Sequence, residues 1–288
     1  MNEQDWVILK TIYEEKNITR SAERLYISQP ALTYRLQQIE EELHIKIFSR
    51  SNKGIHFTVE GLHVIQYAKK MMIDFQKLKD ELLNMKNSTS GELRIGVSSN
   101  FAHYELPTIL KEFLADYPNV QVKVTTDWSN KIMSLFMNEE IHVGIVRGEH
   151  QWNGPSILIN QDPISIISKN EIAIDELPNL SMISYKTDPS LEEIIEKWWR
   201  EHFNQPPLIS MEVDKLETCK EMVLKGLGYG IVPNYLVKNH ESELFLQPLK
   251  KKDNRMIVRD LWLYYRKEEL HLSAVKAFVQ FMENNPST

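Results

Sequence analysis

Ser21-Ala-Glu-Arg-Leu-Tyr-Ile-Ser-Gln-Pro-Ala-Leu-Thr-Tyr-Arg-Leu-Gln-Gln-Ile-Glu40 carries its apolar residues in two short sets at helical spacing. Ala22 and Leu25 form the first set; Ala31, Leu32, Leu36 and Ile39 form the second. Tyr26-Ile-Ser-Gln29 turns the corner between them. Ser28 is a good N-cap, and Pro30 falls in the first turn, where a missing N–H costs nothing, so the second helix starts sharply. Its leading end presents Gln29, Thr33, Tyr34 and Arg35, side chains suited to base edges and phosphates. Two helices with a tight corner, the second leading with such residues, form the pattern of a helix-turn-helix. Any packed helix pair makes a similar corner, so the flanking sequence decides between the two readings.

Downstream comes Phe48-Ser-Arg-Ser-Asn-Lys-Gly-Ile-His-Phe-Thr58, with a Gly turn and alternating Ile55 and Phe57. It reads as a two-stranded wing that sets Arg50 and Lys53 against a phosphate backbone. Thr19, Arg20 and Pro30 complete the candidate DNA contacts. Upstream, Asp5 to Glu15 reads as a first helix, with Trp6, Leu9, Ile12 and Tyr13 closing a core under the helix pair.

With these residues in view, the chain resembles the LysR-type transcriptional regulators. The resemblance is carried by Ala22-Glu-Arg-Leu25, Ser28-Gln-Pro-Ala-Leu32, Ile39-Glu40 with Leu43, Phe48-Ser-Arg50, and Thr58-x-x-Gly61 entering a long helix. That family usually has an Arg after the Ser or Thr of the recognition helix. Here Tyr34 stands there, which stacks or donates one bond but makes no bidentate contact to guanine.

The chain has 288 residues, enough for two or three domains, and a net charge of −6. The acidity is unevenly placed. Residues 1–86 hold 13 Lys and Arg against 12 Asp and Glu, and the remainder holds 21 against 28. A first segment of only +1 needs placed contacts and paired reading heads instead of a bulk basic patch. Cys219 is the only cysteine, which excludes an internal disulfide switch and a cysteine zinc site; a small buried apolar role is expected. The nine histidines lack ligand spacing, so no metal and no cofactor is expected. Met1-Asn-Glu-Gln-Asp-Trp6 is acidic and no run of 18 apolar residues occurs, so a cytoplasmic protein with no membrane contact is expected.

From Thr58 to about Lys86 there is no Pro or late Gly, which predicts a helix of ~40 Å at ~1.5 Å per residue. Ile65, Ala68, Met72, Phe75, Lys79 and Leu82 follow a 3,4 spacing, expected to be a seam for the same helix of a second subunit; packing on its own domain is the alternative. Asn87-Ser-Thr-Ser-Gly91 reads as a hinge. Strands and helices then alternate. Strands at Leu93–Val97, Val120–Val124 and Ile141–Val146, with helices from Glu105 to Tyr117 and Ser129 to Asn138, make a βαβαβ unit with a parallel sheet. Asp162-Pro163 is expected to break the run before a second α/β series. The expected domains are a winged helix-turn-helix over 1–58, a linker helix and hinge over 59–90, and a two-lobed α/β domain over 91–288. Lobe I takes 91–163 and 261–288, and lobe II takes 164–260. The family resemblance implies that the last strand and helix return to lobe I and that the two lobes are built like periplasmic binding proteins.

Gly226-Leu-Gly-Tyr-Gly230 has the wrong order for a dinucleotide fingerprint, since a helix precedes it and a strand follows. Gly226 reads as a residue closing a helix and Gly228 as a turn. No phosphate-binding loop and no nucleophile or acid–base constellation is found, which argues against a metabolic enzyme; a solute receptor would lack the helix-turn-helix. Ligands of parallel sheets bind beyond the carboxyl ends of the strands. Those ends bring Ser98, Ser99 and Asn100, then Trp128 and Ser129, then Arg147 and Gly148. Hydroxyls, amides and a guanidinium suit a carboxylate, with Arg147 as its bidentate partner; pairing of Arg147 with a nearby Asp or Glu on the surface is the alternative.

A closer resemblance, carried by Val213 to Met222, Ile145-Val-Arg-Gly148 and Arg259-Asp-Leu-Trp262, is to the catabolite-control branch of the family. It implies citrate as effector, control of tricarboxylic-acid-cycle genes, and Arg259 as a second grip, with Arg255 a less favoured substitute. A different carboxylate or an amino-acid-derived effector is the alternative. Promoter DNA, further copies of the chain in a homodimer or homotetramer, and RNA polymerase are the partners implied.

Overall fold

The computed structural model describes residues 1–51, 54–84, 89–238 and 240–285, and the chain divides into two units, Met1–Asn87 and Ser88–Thr288.

In the first unit, α1 (Glu3–Glu15), α2 (Ile18–Arg24) and α3 (Gln29–Leu43) precede β1 (Phe48–Ser51), β2 (Gly54–Phe57) and α4 (Val59–Asn84). Each of the first three helices has a local start signal. The Asn2 side chain accepts from the Asp5 amide and the Asp5 carboxylate accepts from the Asn2 amide, the Asn17 side chain accepts from the Arg20 amide, and the Ser28 side chain accepts from the Ala31 amide. Pro30 lies in the first turn of α3, as its missing N–H requires. Leu9, Ile12, Ala22, Leu32, Leu36 and Ile39 close one core with Ile47 and Ile65, so the apolar periodicity of the three helices does converge. β1 and β2 pair antiparallel, Phe48 opposite Phe57 and Arg50 opposite Ile55, which makes the expected wing.

The expected seam of α4 faces inward as far as Phe75, while Leu82 at its end is exposed. Ile65 and Ala68 are in the core of their own unit, Phe75 meets the Trp6 ring edge-on at 6.5 Å, and Lys79 lies 3.2 Å from Glu3. The 3,4 pattern is therefore largely satisfied by α1. A second apolar face, with Tyr67, Leu78 and Leu82, remains exposed. The expected hinge falls partly on residues 87–88, outside the described residues.

In the second unit, β3 (Gly91–Ser98), α5 (Ser99–Tyr104), α6 (Leu106–Asp116), β4 (Val120–Asp127), α7 (Ser129–Met137) and β5 (Val143–Arg147) form the expected parallel unit, β3 lying between β4 and β5. The single helix expected from Glu105 to Tyr117 is preceded by the short α5, with Glu105 at the junction. β6 (Ser156–Ser168) runs straight through Asp162-Pro163, against the expected break. Its first half pairs with β11 (Val258–Tyr265), and its second half pairs with β9 (Gly230–Pro233) and β10 (Phe245–Pro248). Pro163 stands at the hand-over between partners, where a missing N–H interrupts no ladder. β11 also pairs with β5, so β6 and β11 are the two strands that pass from one lobe to the other.

Lobe II adds β7 (Ser181–Tyr185), α8 (Pro189–His202), β8 (Leu208–Val213) and α9 (Leu216–Leu224), with β7 and β8 parallel. Gly226 closes α9 at φ +75°, and a side chain on Gly228 would meet the Ser181 carbonyl at 2.4 Å, so these glycines serve a turn. α10 (Ser273–Asn284) returns to lobe I, where Val275 and Phe278 pack with Val97, Phe113 and Leu263. Lobe II has its own apolar centre, including Ile166, Trp198, Trp199 and Ile231. The architecture is a winged helix-turn-helix, a long helix, and a two-lobed α/β domain.

Candidate functional site

The leading end of α3 presents Gln29, Pro30 and Tyr34 to solvent, with Thr33 half-buried, and Thr19 and Arg20 are exposed at the start of α2. The Gln29 amide donates to the Thr33 hydroxyl at 2.9 Å, so one polar edge of the helix is held in place. Tyr34 is 63 % exposed, a flat ring with a free approach. Arg50 lies on β1 opposite Ile55; Lys53 lies outside the described residues.

Arg35 departs from the sequence reading. Its Nε and Nη2 hold Asp5 Oδ1 and Oδ2 at 2.6 and 2.7 Å, and Nη1 donates to Gln38 at 2.8 Å. The Asp5 carboxylate is fully buried. Burial pushes it up, and the Arg35 hydrogen bonds, the Asn2 amide and the Arg35 charge more than reverse this, so its pKa lies below the ordinary carboxylate value. Arg35 thus ties α3 to the first turn of α1, with its Nε and Nη2 engaged by Asp5. We expect Arg35→Gln and Asp5→Asn each to cost about 2–3 kcal/mol of stability in denaturant unfolding, because each leaves a charged partner unmatched. The salt slope of DNA binding should be unchanged in Arg35→Gln; a fall of about 0.9 would mark a direct phosphate contact instead.

In the second unit, a 660 Å³ cavity opens between the lobes at the carboxyl ends of the parallel strands. Ser98, Ser99, Asn100, Trp128, Ser129, Arg147 and Arg259 all line it. Gly148 does not; it makes the turn after β5 at φ +84° beside Ser190. Arg255 is exposed and bonds Asp253, away from the cavity.

Arg147 is only 2 % exposed. Its Nη2 donates to Glu105 at 3.0 Å and its guanidinium lies 4.2 Å over the Tyr235 ring, while Tyr235 accepts from Asn100 at 2.5 Å. Arg147 Nε and Nη1 and the Ser98 hydroxyl are buried without a hydrogen-bond partner among the described residues. Burial raises the pKa of Glu105 against the opposing charge of Arg147, and burial likewise raises that of Asp162. Arg259, 3 % exposed, donates through Nη2 to Asp188 at 2.5 Å and to Ser190 at 3.0 Å, leaving Nε unpartnered. Each arginine therefore has an acidic partner; for Arg147 the alternative reading foresaw an acid on the surface, whereas Arg147 is buried and Glu105 is part-buried.

The sequence reading missed Glu105, Tyr235 and Asp188. Only Asp188 carried a local signal: it precedes Pro189 and caps α8 through Leu191. The acidic stretch from Asp214 to Glu217 lines the cavity from lobe II. Cys219 is buried and burial pushes its thiol up to about 12, which makes it a small core residue. Among the described residues no cluster of His, Cys, Asp and Glu is arranged to hold a metal, and no helix is long and apolar enough to cross a membrane.

The family comparisons agree with this division. Residues 4–62 match the model for bacterial regulatory helix-turn-helix proteins of the lysR family, and residues 86–286 match the LysR substrate binding domain. The chain is 45% identical over 283 residues to YraN of Bacillus subtilis (strain 168), covering 98% of both proteins, and 32% identical over 286 residues to YkuM of the same strain, covering 99% of this chain and 97% of that one. Both are described as uncharacterized HTH-type transcriptional regulators. In fold it is similar to full-length CbnR in complex with its target DNA, with a TM-score of 0.69 at 18% identity over 99% of this chain and 100% of that one. It is also similar to a full-length OxyR variant from Pseudomonas aeruginosa, with a TM-score of 0.64 at 18% identity over 98% of this chain and 95% of that one. The helix-turn-helix with its wing and the two-lobed domain that follows it in the chain thus belong to one scheme, and the chain is a member of the LysR family of DNA-binding transcriptional regulators, not an enzyme.

Proposed function

We propose that this regulator senses a small carboxylate-bearing metabolite in the cleft between its two α/β lobes and alters promoter occupancy in response. The observation that carries this reading is Arg147. A buried guanidinium, which has donors and no acceptor, keeps Nε and Nη1 without partners among the described residues, and the Ser98 hydroxyl of the same cavity, able to donate, is likewise unpartnered. Citrate is one candidate within that class. The second arginine expected for it, Arg259, is bonded to Asp188, so the reading is kept at a carboxylate and not extended to central carbon metabolism as the regulon.

On the DNA side, Gln29, Thr33 and Tyr34 read base edges in the major groove, with Thr19, Arg20, Pro30, Arg50 and Lys53 at the backbone. A homodimer, or a tetramer of paired dimers, presents two such heads to an inverted repeat, and the exposed face with Tyr67, Leu78 and Leu82 is the part of α4 left for a partner helix. Contact with RNA polymerase from the promoter-bound state and action in the cytoplasm follow from this role. The effector acts through its differential affinity for two arrangements, with a coupling of about 1–3 kcal/mol.

The test is a pair of titrations on one set of variants. Gln29→Ala and Thr33→Ala should each weaken sequence-specific DNA binding by about 1–3 kcal/mol and narrow the gap to non-specific DNA, with carboxylate binding unchanged in calorimetry. Equal loss of both activities would sink the division of labour, and a monomer in sedimentation at DNA-binding concentrations would sink the paired heads.

A further inference from the structure

Arg147 is held from both lobes. Within lobe I its Nη2 donates to Glu105 at 3.0 Å, and its Nε and Nη1 have no hydrogen-bond partner among the described residues. From lobe II comes Tyr235, over whose ring the guanidinium carbon lies, 4.2 Å from the centroid. Tyr235 stands on the short 3-10 turn Asn234–Leu236 directly after β9 and packs against the lobe II cluster that includes Leu216, Val232 and Leu236. Its other contacts run away from lobe II. The hydroxyl accepts from Asn100 at 2.5 Å, the ring meets that of Tyr104 at 5.8 Å, and the amide donates to Asp162 at 3.1 Å, where β6 passes between the lobes. Asn100 and Arg147 line the cavity and Tyr235 does not, so Tyr235 touches the groups that face a ligand and not the ligand itself.

The ring contact is electrostatic and spends no N–H of the arginine. Burial pushes the Tyr235 hydroxyl well above the ordinary phenol value, so Arg147 faces a neutral ring whose negative π face attracts the cation. That attraction depends on the charge beside the ring. A carboxylate on Nε or Nη1 sets a full negative charge about 2.7–2.9 Å from the same guanidinium. Whether or not Glu105 is ionised, the charge that Tyr235 faces then falls by one unit, and the tie to lobe II weakens. By linkage, whatever loosens Tyr235 favours the anion to the same degree.

We propose that Tyr235 is the positioning residue that carries occupancy of Arg147 across to lobe II, its ring being released when a carboxylate takes the free donors. The proposal rests on the carboxylate reading of the cleft and names the side chain that links the site to the rest of the domain. Removing the ring has two opposite effects on binding itself. The guanidinium is less firmly oriented, and it no longer gives up a ring contact to take the anion. Affinity should therefore change little and the response much.

The experiment uses the full-length chain and a duplex that it selects from a random-sequence pool. Acetate, succinate, citrate and 2-oxoglutarate are titrated by calorimetry, and the tightest of them is added to DNA-binding measurements on the parent, Tyr235→Leu and Tyr235→Phe. In the parent the acid should shift DNA affinity by about fivefold or more. Tyr235→Leu should bind the acid within about threefold of the parent and show a shift of less than about twofold; Tyr235→Phe, which keeps the π face, should keep the shift. Phenylalanines carrying one, three and five ring fluorines, placed at position 235, keep the ring's shape and weaken its π face stepwise, and the shift should shrink in that order. A merely structural role would lower binding and response together and would not follow the fluorine series. A full shift in Tyr235→Leu, loss of acid binding there, a lost shift in Tyr235→Phe, or equal shifts across the fluorinated rings would overturn the role of Tyr235 and leave the carboxylate reading standing. Binding of none of the four acids, or binding without any shift in the parent, would overturn both.

Discussion

Gly61→Ala is expected to unfold the DNA-reading unit well below the melting temperature of the unchanged chain. The Cβ would sit 1.9 Å from the Ile47 carbonyl oxygen, 2.7 Å from its carbon and 2.8 Å from its Cα. All three are backbone atoms, so no side chain can swing aside. They are also fixed twice over. The Ile47 amide donates to the buried Glu40 at 2.8 Å, and the Ile47 carbonyl accepts from the Thr58 amide at 3.0 Å. The Thr58 hydroxyl accepts from the Gly61 amide at 2.9 Å and donates to the Lys46 carbonyl at 2.5 Å, so the start of α4 is drawn onto the same segment. Two effects of opposite sign compete. Ala gains about 1 kcal/mol over Gly inside a helix. Overpacking costs about 1–3 kcal/mol even where side chains can yield, and here backbone must. The clash wins, with a net loss of up to about 2 kcal/mol, which for a unit of this size lowers its melting temperature by roughly 8–16 °C. Calorimetry of the full chain should show the transition of the first unit moving down while that of the second stays. An unmoved first transition would mean that α4 does not close on Ile47 as described.

This contact also explains what in the sequence was readable. Thr58-x-x-Gly61 is a local pattern, as are the cap at Ser28 and the apolar periods of α1 to α3, and local patterns need no knowledge of the partner. The cleft residues were readable for a related reason: the carboxyl ends of parallel strands must converge, so finding the strands places Ser98, Trp128 and Arg147 together. What was not readable is long-range. Asp5 stands 30 residues from Arg35, Glu105 stands 42 from Arg147, and Asp188 stands 71 from Arg259. No periodicity links such pairs, and each one changes the role of a cation that looked free. The inward turn of the α4 seam has another cause. A 3,4 repeat marks an apolar face but not its partner, and Trp6 and Glu3 on α1 supply one within the same unit.

Arg147→Ala is expected to abolish the effector response and to destabilise the second unit, and the two losses can be separated. Removing the guanidinium strips Glu105 of its one hydrogen-bonded cation among the described residues and leaves its carboxylate near Asp162, whose charge already helps to raise it. Breaking a buried pair from one side costs about 3–5 kcal/mol. The cost should depend on pH with a definite sign. Glu105 already has a raised pKa in the folded state, and loss of Arg147, whose charge opposes the rise, lifts it further. A carboxyl raised on folding contributes stability that is full below its unfolded value and is lost as pH rises through the folded one. The variant should therefore approach the parent in stability near about pH 4–5 and fall furthest behind at neutral pH and above. Adding Glu105→Gln removes the buried charge while keeping an oxygen for the Asn160 amide, so Arg147→Ala/Glu105→Gln should regain most of the stability and lose the pH dependence. It should not regain the effector response, because the donors at Nε and Nη1 are still missing. Recovery of that response together with stability in the double variant would show that Arg147 only holds the lobe together, and the ligand's carboxylate would then need another partner in the cleft.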